Sequence, residues 1–198
     1  VTIEPYLNRS ELVNRNISTV IYNLVEGAII VFVVLMLFLG NVRASMIVAS
    51  VIPLAMLFGF ILMRVFGVSA NLMSLGAIGF GIVVDGSIVI IEGILAHIYT
   101  SRLAGKQLCA DEMNNEVEKG AAKVVRSSAF AVLIILIVFF PLLTLSGIEG
   151  KYFTPMAETL VFCIIGALIL SLTYVPMMAA IFLPRHIDLK PTLADKFF

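Results

Sequence analysis

The chain has 198 residues, of which 61% are hydrophobic and 13% charged, and its formal net charge is zero; its mean hydropathy is +1.09. A soluble domain carries about 45–50% apolar and about 25% charged residues, so a water-soluble globule is excluded. Zero net charge also gives no bulk attraction to nucleic acid. The expected fold class is all-α, a polytopic membrane helix bundle.

The first expected span is 21–40, "IYNLVEGAIIVFVVLMLFLG", and the second is 44–63, "ASMIVASVIPLAMLFGFILM". The few residues around Asn41 and Arg43 that join them predict a tight antiparallel pair. The third span, 72–96, contains "GFGIVVDGSIVIIEG" and with it two acids, Asp85 and Glu92. A polar stretch, 97–128, follows, in which Asp111, Glu112, Glu116 and Glu118 precede Lys119 and Lys123. Acids before bases suit a helix dipole, so a short surface helix is expected there. The fourth span is 129–148, "AFAVLIILIVFFPLLTLSGI", and the fifth is 160–183, "LVFCIIGALILSLTYVPMMAAIFL". Each reaches the length that a hydrocarbon core of about 30 Å requires. Each must be a helix, because an open strand would leave backbone groups unpaired in lipid. Pro53, Pro141 and Pro176 fall inside spans two, four and five, where each deletes a backbone bond and is expected to kink its helix.

Lys and Arg counts in the connections set the orientation. One side holds Arg43, Arg102, Lys106, Lys119, Lys123, Arg126, Arg185, Lys190 and Lys196; the other holds Arg9, Arg15, Arg64 and Lys151. The richer side, with the 97–128 loop and the C-terminus, is expected in the cytoplasm. The first residue is Val rather than Met, and the closing "LADKFF" reads as the first turn of an amphipathic helix; the chain is therefore expected to be an excerpt of a longer protein.

Asp85 is the fourteenth residue of the 25-residue third span, near mid-membrane. A charge there costs about 2.5–3.5 kcal/mol on insertion scales, which makes an intramembrane carboxylate a candidate for a proton relay or ion path. A structural hydrogen bond to a neighbouring helix is the alternative. Glu92 lies seven residues on, within about 20° on the wheel and roughly 10 Å along the axis, as either a relay member or a boundary residue. Gly79, Gly86 and Gly93 repeat every seven residues, about 100° round from the acids. They predict close helix packing, with the acids aimed into the bundle. No Lys or Arg lies inside the five spans. Asp85 is then either protonated, because burial penalises its charge, or paired with a cation outside this chain.

Other chemistry is sparse. Cys109 and Cys163 fall in a polar loop and an apolar run, which argues against a disulfide between them. His97 and His186 are isolated and read as interfacial or loop residues. No zinc-type spacing exists, and no cofactor is expected. Met36, Met46, Met56, Met63, Met73, Met177 and Met178 lie in or beside spans. Soft thioethers suit Cu(I), but methionine is also ordinary core, and these show no regular spacing.

"SANLMSLGAIGFGIVVDGSIVIIEG" resembles the fourth transmembrane helix of resistance–nodulation–division (RND) exporters. "LVEGAIIVFVVLMLFLGNVRASMIVASVIPLAML" looks like that family's second and third helices, and "VVRSSAFAVLIILIVFFPLLTLSG" with "FTPMAETLVFCIIGALILSLTYVPMMAAIFL" like its fifth and sixth. The match covers almost the whole chain in order and spacing. "FGIVVDG" followed by "IIEG" resembles the heavy-metal efflux branch; the multidrug branch usually has a second Asp where Gly86 stands. Divalent-cation members usually carry a further Asp where this chain has Gly79, and Asn where it has Gly93. Copper and silver members also lack the former.

The resemblance implies an inner-membrane homotrimer of bacterial protomers with twelve helices and large periplasmic domains, working with a periplasmic adaptor and an outer-membrane channel. It implies proton antiport rather than enzyme catalysis, with Asp85 as proton carrier, Glu92 as accessory acid and the cationic partner in the absent half. Residues 1–20 then form a linker from the periplasmic domain, 21–183 the five-helix bundle in the lipid bilayer, and 184–198 the start of a cytoplasmic amphipathic segment. A multidrug or other RND-superfamily exporter, a helix-bundle scaffold and a channel-like domain are the alternatives. A channel requires a continuous polar lining, for which spans one, two and four have too few polar residues.

Overall fold

The computed structural model describes residues 9–68, 80–103 and 110–183. Within them the chain forms five helices: α1 (Arg9–Leu39), α2 (Val42–Phe66), α3 (Phe80–Leu103), α4 (Ala110–Leu143) and α5 (Gly147–Phe182). All five are long and apolar enough to cross a membrane. No strand occurs among the described residues, as lipid demands of any structure that is not a closed barrel.

The turn between α1 and α2 is built from two residues. Gly40 takes φ +60°, a conformation that costs a residue with a Cβ about 1–2 kcal/mol. Asn41 then caps α2, its side-chain oxygen accepting from the backbone N–H of Arg43 at 3.0 Å and of Ala44 at 3.4 Å. At the far end Gly67, at φ +70°, closes α2 by donating its N–H to Met63 O. Pro53, Pro141 and Pro176 all sit inside continuous helices, joined by Pro155 near the start of α5.

Helices α2 and α5 run antiparallel in close register. From one end to the other, Arg43 Nη1 donates to Phe182 O at 3.4 Å, Ser50 Oγ meets Tyr174 Oη at 2.9 Å, and the rings of Phe66 and Phe162 stack at 5.4 Å. Small residues bring the two axes together. A Cβ on Gly59 would lie 2.5 Å from Cys163 Sγ, and one on Gly166 would lie 2.6 Å from Phe58 Cδ1. Lipid is as apolar as these side chains, so close van der Waals contact, rather than expulsion of water, holds such a seam.

Helix α3 packs on α4 and α5 and less extensively on α2 and α1. Its inward residues Val83, Val84, Ile90, Ile91, Ile94 and Ile98 are all buried. Helix α1 is peripheral, with Leu35 its one buried hydrophobic side chain among the described residues.

Several expectations are revised. Helix α1 starts at Arg9 rather than 21, α4 ends at Leu143 rather than 148, and α5 starts at Gly147 rather than 160. The polar residues from 110 form no separate surface helix. They are the first half of α4, whose 34 residues reach about 50 Å, well beyond a hydrocarbon core. The third span likewise continues past 96 to Leu103. Contacts between the two polar extensions, described below, explain why both stay helical outside the apolar stretch.

Candidate functional site

Helix α3 presents two faces with opposite character. On the inward side a Cβ on Gly86 would meet Val132 Cγ2 at 3.3 Å and the Ser128 and Ser171 hydroxyls at 3.5 Å, so this glycine lies where α3, α4 and α5 converge. Ser128 Oγ donates to Gly86 O at 3.1 Å across the α3–α4 seam. One heptad on, a Cβ on Gly93 would lie 2.6 Å from Val124 Cγ2. A Cβ on Gly120, from the α4 side, would lie 2.9 Å from Ile94 Cα. Gly79 lies outside the described residues.

Asp85 and Glu92 occupy the other face. Both are exposed on the surface of the five helices, along a strip that includes Gly81, Val89, Ala96 and Tyr99. This corrects the expectation that the acids point into the bundle. The glycines do mark packing, but they mark where α4 and α5 press on α3, and the acids lie about 100° round from that line. Neither carboxylate makes a hydrogen bond or ion pair among the described residues. A face that combines two free carboxylates with small residues is unsuited to lipid, where ionisable groups turn to a protein interior or a water-filled cavity.

The other buried polar side chains of the bundle are satisfied internally. Ser45, Thr159 and Ser171 each donate to a carbonyl of their own helix. Ser87 is different: its hydroxyl is fully buried two residues from Asp85 and finds no partner among the described residues.

A second polar cluster joins the extensions of α3 and α4. Glu116, 5% exposed, accepts from Ser101 Oγ and from Lys119 Nζ at 3.2 Å. His97 Nε2 stands 3.1 Å from Glu116 Oε2, an ion-pair distance rather than an aligned hydrogen bond. The opposite ring nitrogen, Nδ1, lies 3.2 Å from Lys123 Nζ. Lysine can only donate, so Nδ1 is the acceptor of that contact. Read as isolated in sequence, His97 thus belongs to a partly buried network round Glu116. The signal was present in the spacing: His97 and Ser101 are one turn apart on α3, and Glu116, Lys119 and Lys123 share one face of α4.

No three metal-ligating His, Cys, Asp or Glu side chains converge among the described residues. The described methionines are divided between core and surface. Met56 and Met63 are core, while Met36, Met46 and Met177 are exposed; Met73, like Cys109 and His186, lies outside the described residues.

Comparison with known proteins adds the family. The AcrB/AcrD/AcrF family model matches residues 1–198. The chain is 46% identical over 188 residues to the cobalt-zinc-cadmium resistance protein CzcA of Cupriavidus metallidurans, covering 94% of this chain and 18% of that protein. It is 44% identical, with the same coverage, to the nickel and cobalt resistance protein CnrA of the same organism. A crystal structure of a heavy metal efflux pump superposes with a TM-score of 0.74 at 41% identity, covering 89% of this chain and 17% of that one. The chain thus spans under a fifth of the length of the relatives it matches. It is a multi-pass membrane protein segment, and it belongs to the AcrB/AcrD/AcrF family, on the heavy-metal efflux branch of the RND transporters.

Proposed function

We propose that this chain is the proton-translocating transmembrane portion of a proton-driven RND pump that exports heavy-metal cations across the bacterial inner membrane. The observation that carries the reading is the outer face of α3, where Asp85 and Glu92 stand exposed and unpaired beside Gly81 and Ala96. A face that carries two unpaired carboxylates fits a protein partner better than lipid. The partner is the remainder of the same transporter, which supplies the cation that Asp85 lacks here. Asp85, deeper in the span, takes up and releases the proton; Glu92, roughly 10 Å along the axis, passes it to or from the aqueous boundary. Gly86 and Gly93 hold the helix that carries them close against α4.

The working protein is a homotrimer, a secondary antiporter rather than an enzyme, acting with a periplasmic adaptor and an outer-membrane channel. Residues 1–20 descend from its periplasmic domain and 184–198 begin its cytoplasmic amphipathic segment. The names of relatives at 44–46% identity favour divalent transition-metal cations as substrate; the segment itself has no converging ligand set among its described residues.

The test is Asp85→Asn in the intact transporter. Asn is nearly isosteric and neutral, so expression and assembly should persist while metal tolerance of a deletion host falls to the vector level. Glu92→Gln should lose less. Undiminished tolerance with Asp85→Asn rejects the relay. Tolerance to dyes without tolerance to zinc, cobalt, cadmium, nickel, copper or silver rejects the metal assignment and leaves the proton-coupled pump standing.

A further inference from the structure

The outward face of α4 changes character within one turn. Lys123, Arg126 and Ser127 are followed by Phe130, Ala131 and Ile134, and these six line a shallow open groove of about 580 Å³. All but Ser127 and Ala131 carry long or bulky side chains, and all six are exposed. The apolar stripe then continues through Ile137, Val138 and Phe140.

From these observations we infer that the groove is a binding site for one anionic phospholipid, the headgroup at Lys123 and Arg126 and an acyl chain along Phe130, Ile134 and Ile137. Three features favour this occupant. The first is charge. Arg126 meets no carboxylate among the described residues, and Lys123 meets only a ring nitrogen of His97, so two of its three N–H donors remain. The acid on the same side, Glu116, is buried and engaged by Lys119 and Ser101. Two positive charges therefore face outward unbalanced, beside the hydroxyl of Ser127. The second is geometry. Arg126 lies over the Phe130 ring, 6.0 Å from its centroid, which anchors the guanidinium at the upper edge of the apolar stripe. The third is depth. Residues 130–140 run about 15 Å along the helix, one leaflet's share of a hydrocarbon core of about 30 Å. A basic edge above an apolar track of one leaflet's depth complements a phosphate ester with its acyl chain. Zwitterionic lipid would leave the charge unmatched.

The experiment uses the intact transporter reconstituted in phosphatidylcholine vesicles. The chain contains no tryptophan, so Ile134→Trp adds a reporter, read as the difference from the parent protein. Phosphatidylglycerol with brominated tails should quench that difference signal at a mole fraction roughly tenfold lower than brominated phosphatidylcholine, as two basic side chains near an anionic headgroup predict. Lys123→Gln with Arg126→Gln should bring the two lipids to equal potency. Lys123→Arg with Arg126→Lys should keep the preference, and that separates loss of charge from misfolding. Equal quenching by both lipids in the Ile134→Trp protein overturns the proposal. So does quenching by neither, which would mean that another part of the protein covers this face.

Discussion

Gly93 is one of the two residues on which the close α3–α4 approach turns, with Gly120 on the facing helix. The space that a Cβ would need is held by the methyl groups of Val124, the nearest at 2.6 Å, and Val124 is part of the packed shell round the core. A larger side chain must therefore displace valine methyls or push the helices apart, and such overpacking costs about 1–3 kcal/mol. Gly93→Leu is expected to lower the thermal unfolding temperature of the detergent-solubilised transporter. Val124→Ala in the same protein should recover part of the loss, because it vacates the methyl positions. A Gly93→Leu protein as stable as the parent would show that the seam is not packed this tightly. Gly86 sits at a looser point, since its nearest neighbour is a single valine methyl at 3.3 Å.

At the scale of elements, α3 and α4 form an antiparallel hairpin whose polar ends are joined by polar side chains as well as by the buried Ile98, Met113 and Val117. His97 and Ser101 on one helix meet Glu116 and Lys123 on the other. Glu116 accepts from Ser101 and Lys119 with His97 beside it, and its side chain is only 6% exposed. Removing a partner from a buried charge leaves the desolvation cost uncompensated, so Glu116→Gln should be less damaging than Glu116→Leu. A double-mutant cycle on the intact protein with His97→Gln and Glu116→Gln should give a coupling of about 0.5–3 kcal/mol, the range for side chains in one network. Additive effects would mean that the 3.1 Å approach contributes no energy. The same cycle between Glu116 and Tyr174, which lies on the α2–α5 seam, should be additive.

For the whole molecule, the connections predict which side of the membrane each end faces. The exposed positions Glu118 and Lys151 lie at opposite ends of the bundle, near the start of α4 and the start of α5. In intact cells a membrane-impermeant thiol reagent should label Lys151→Cys and spare Glu118→Cys until the cells are opened. The reverse pattern would overturn the orientation taken from the Lys and Arg counts. The five helices bury their own isoleucines, valines and glycines against one another, and leave the two carboxylates of α3 exposed.

Much of this was legible in the chain itself. Run length and the demand that every backbone group be paired in lipid fix five helices, and the Gly40–Asn41 pair fixes the turn between the first two. The seven-residue spacing of Asp85 from Glu92 follows from counting. Counting did not say which side of α3 is inside. An amphipathic pattern reveals the inward face of a helix in water, because water rejects apolar residues; in lipid both faces are apolar, and inside and outside are told apart by size and fit. The inward face of α3 was decided by Val124, Ser128 and Val132 meeting Gly86 and Gly93, contacts between residues more than 30 positions apart in sequence. The His97–Glu116 network was hidden for the same reason. Each partner alone looks like an ordinary polar residue at a membrane boundary, and only the antiparallel register of α3 and α4 brings the imidazole within 3.1 Å of the carboxylate.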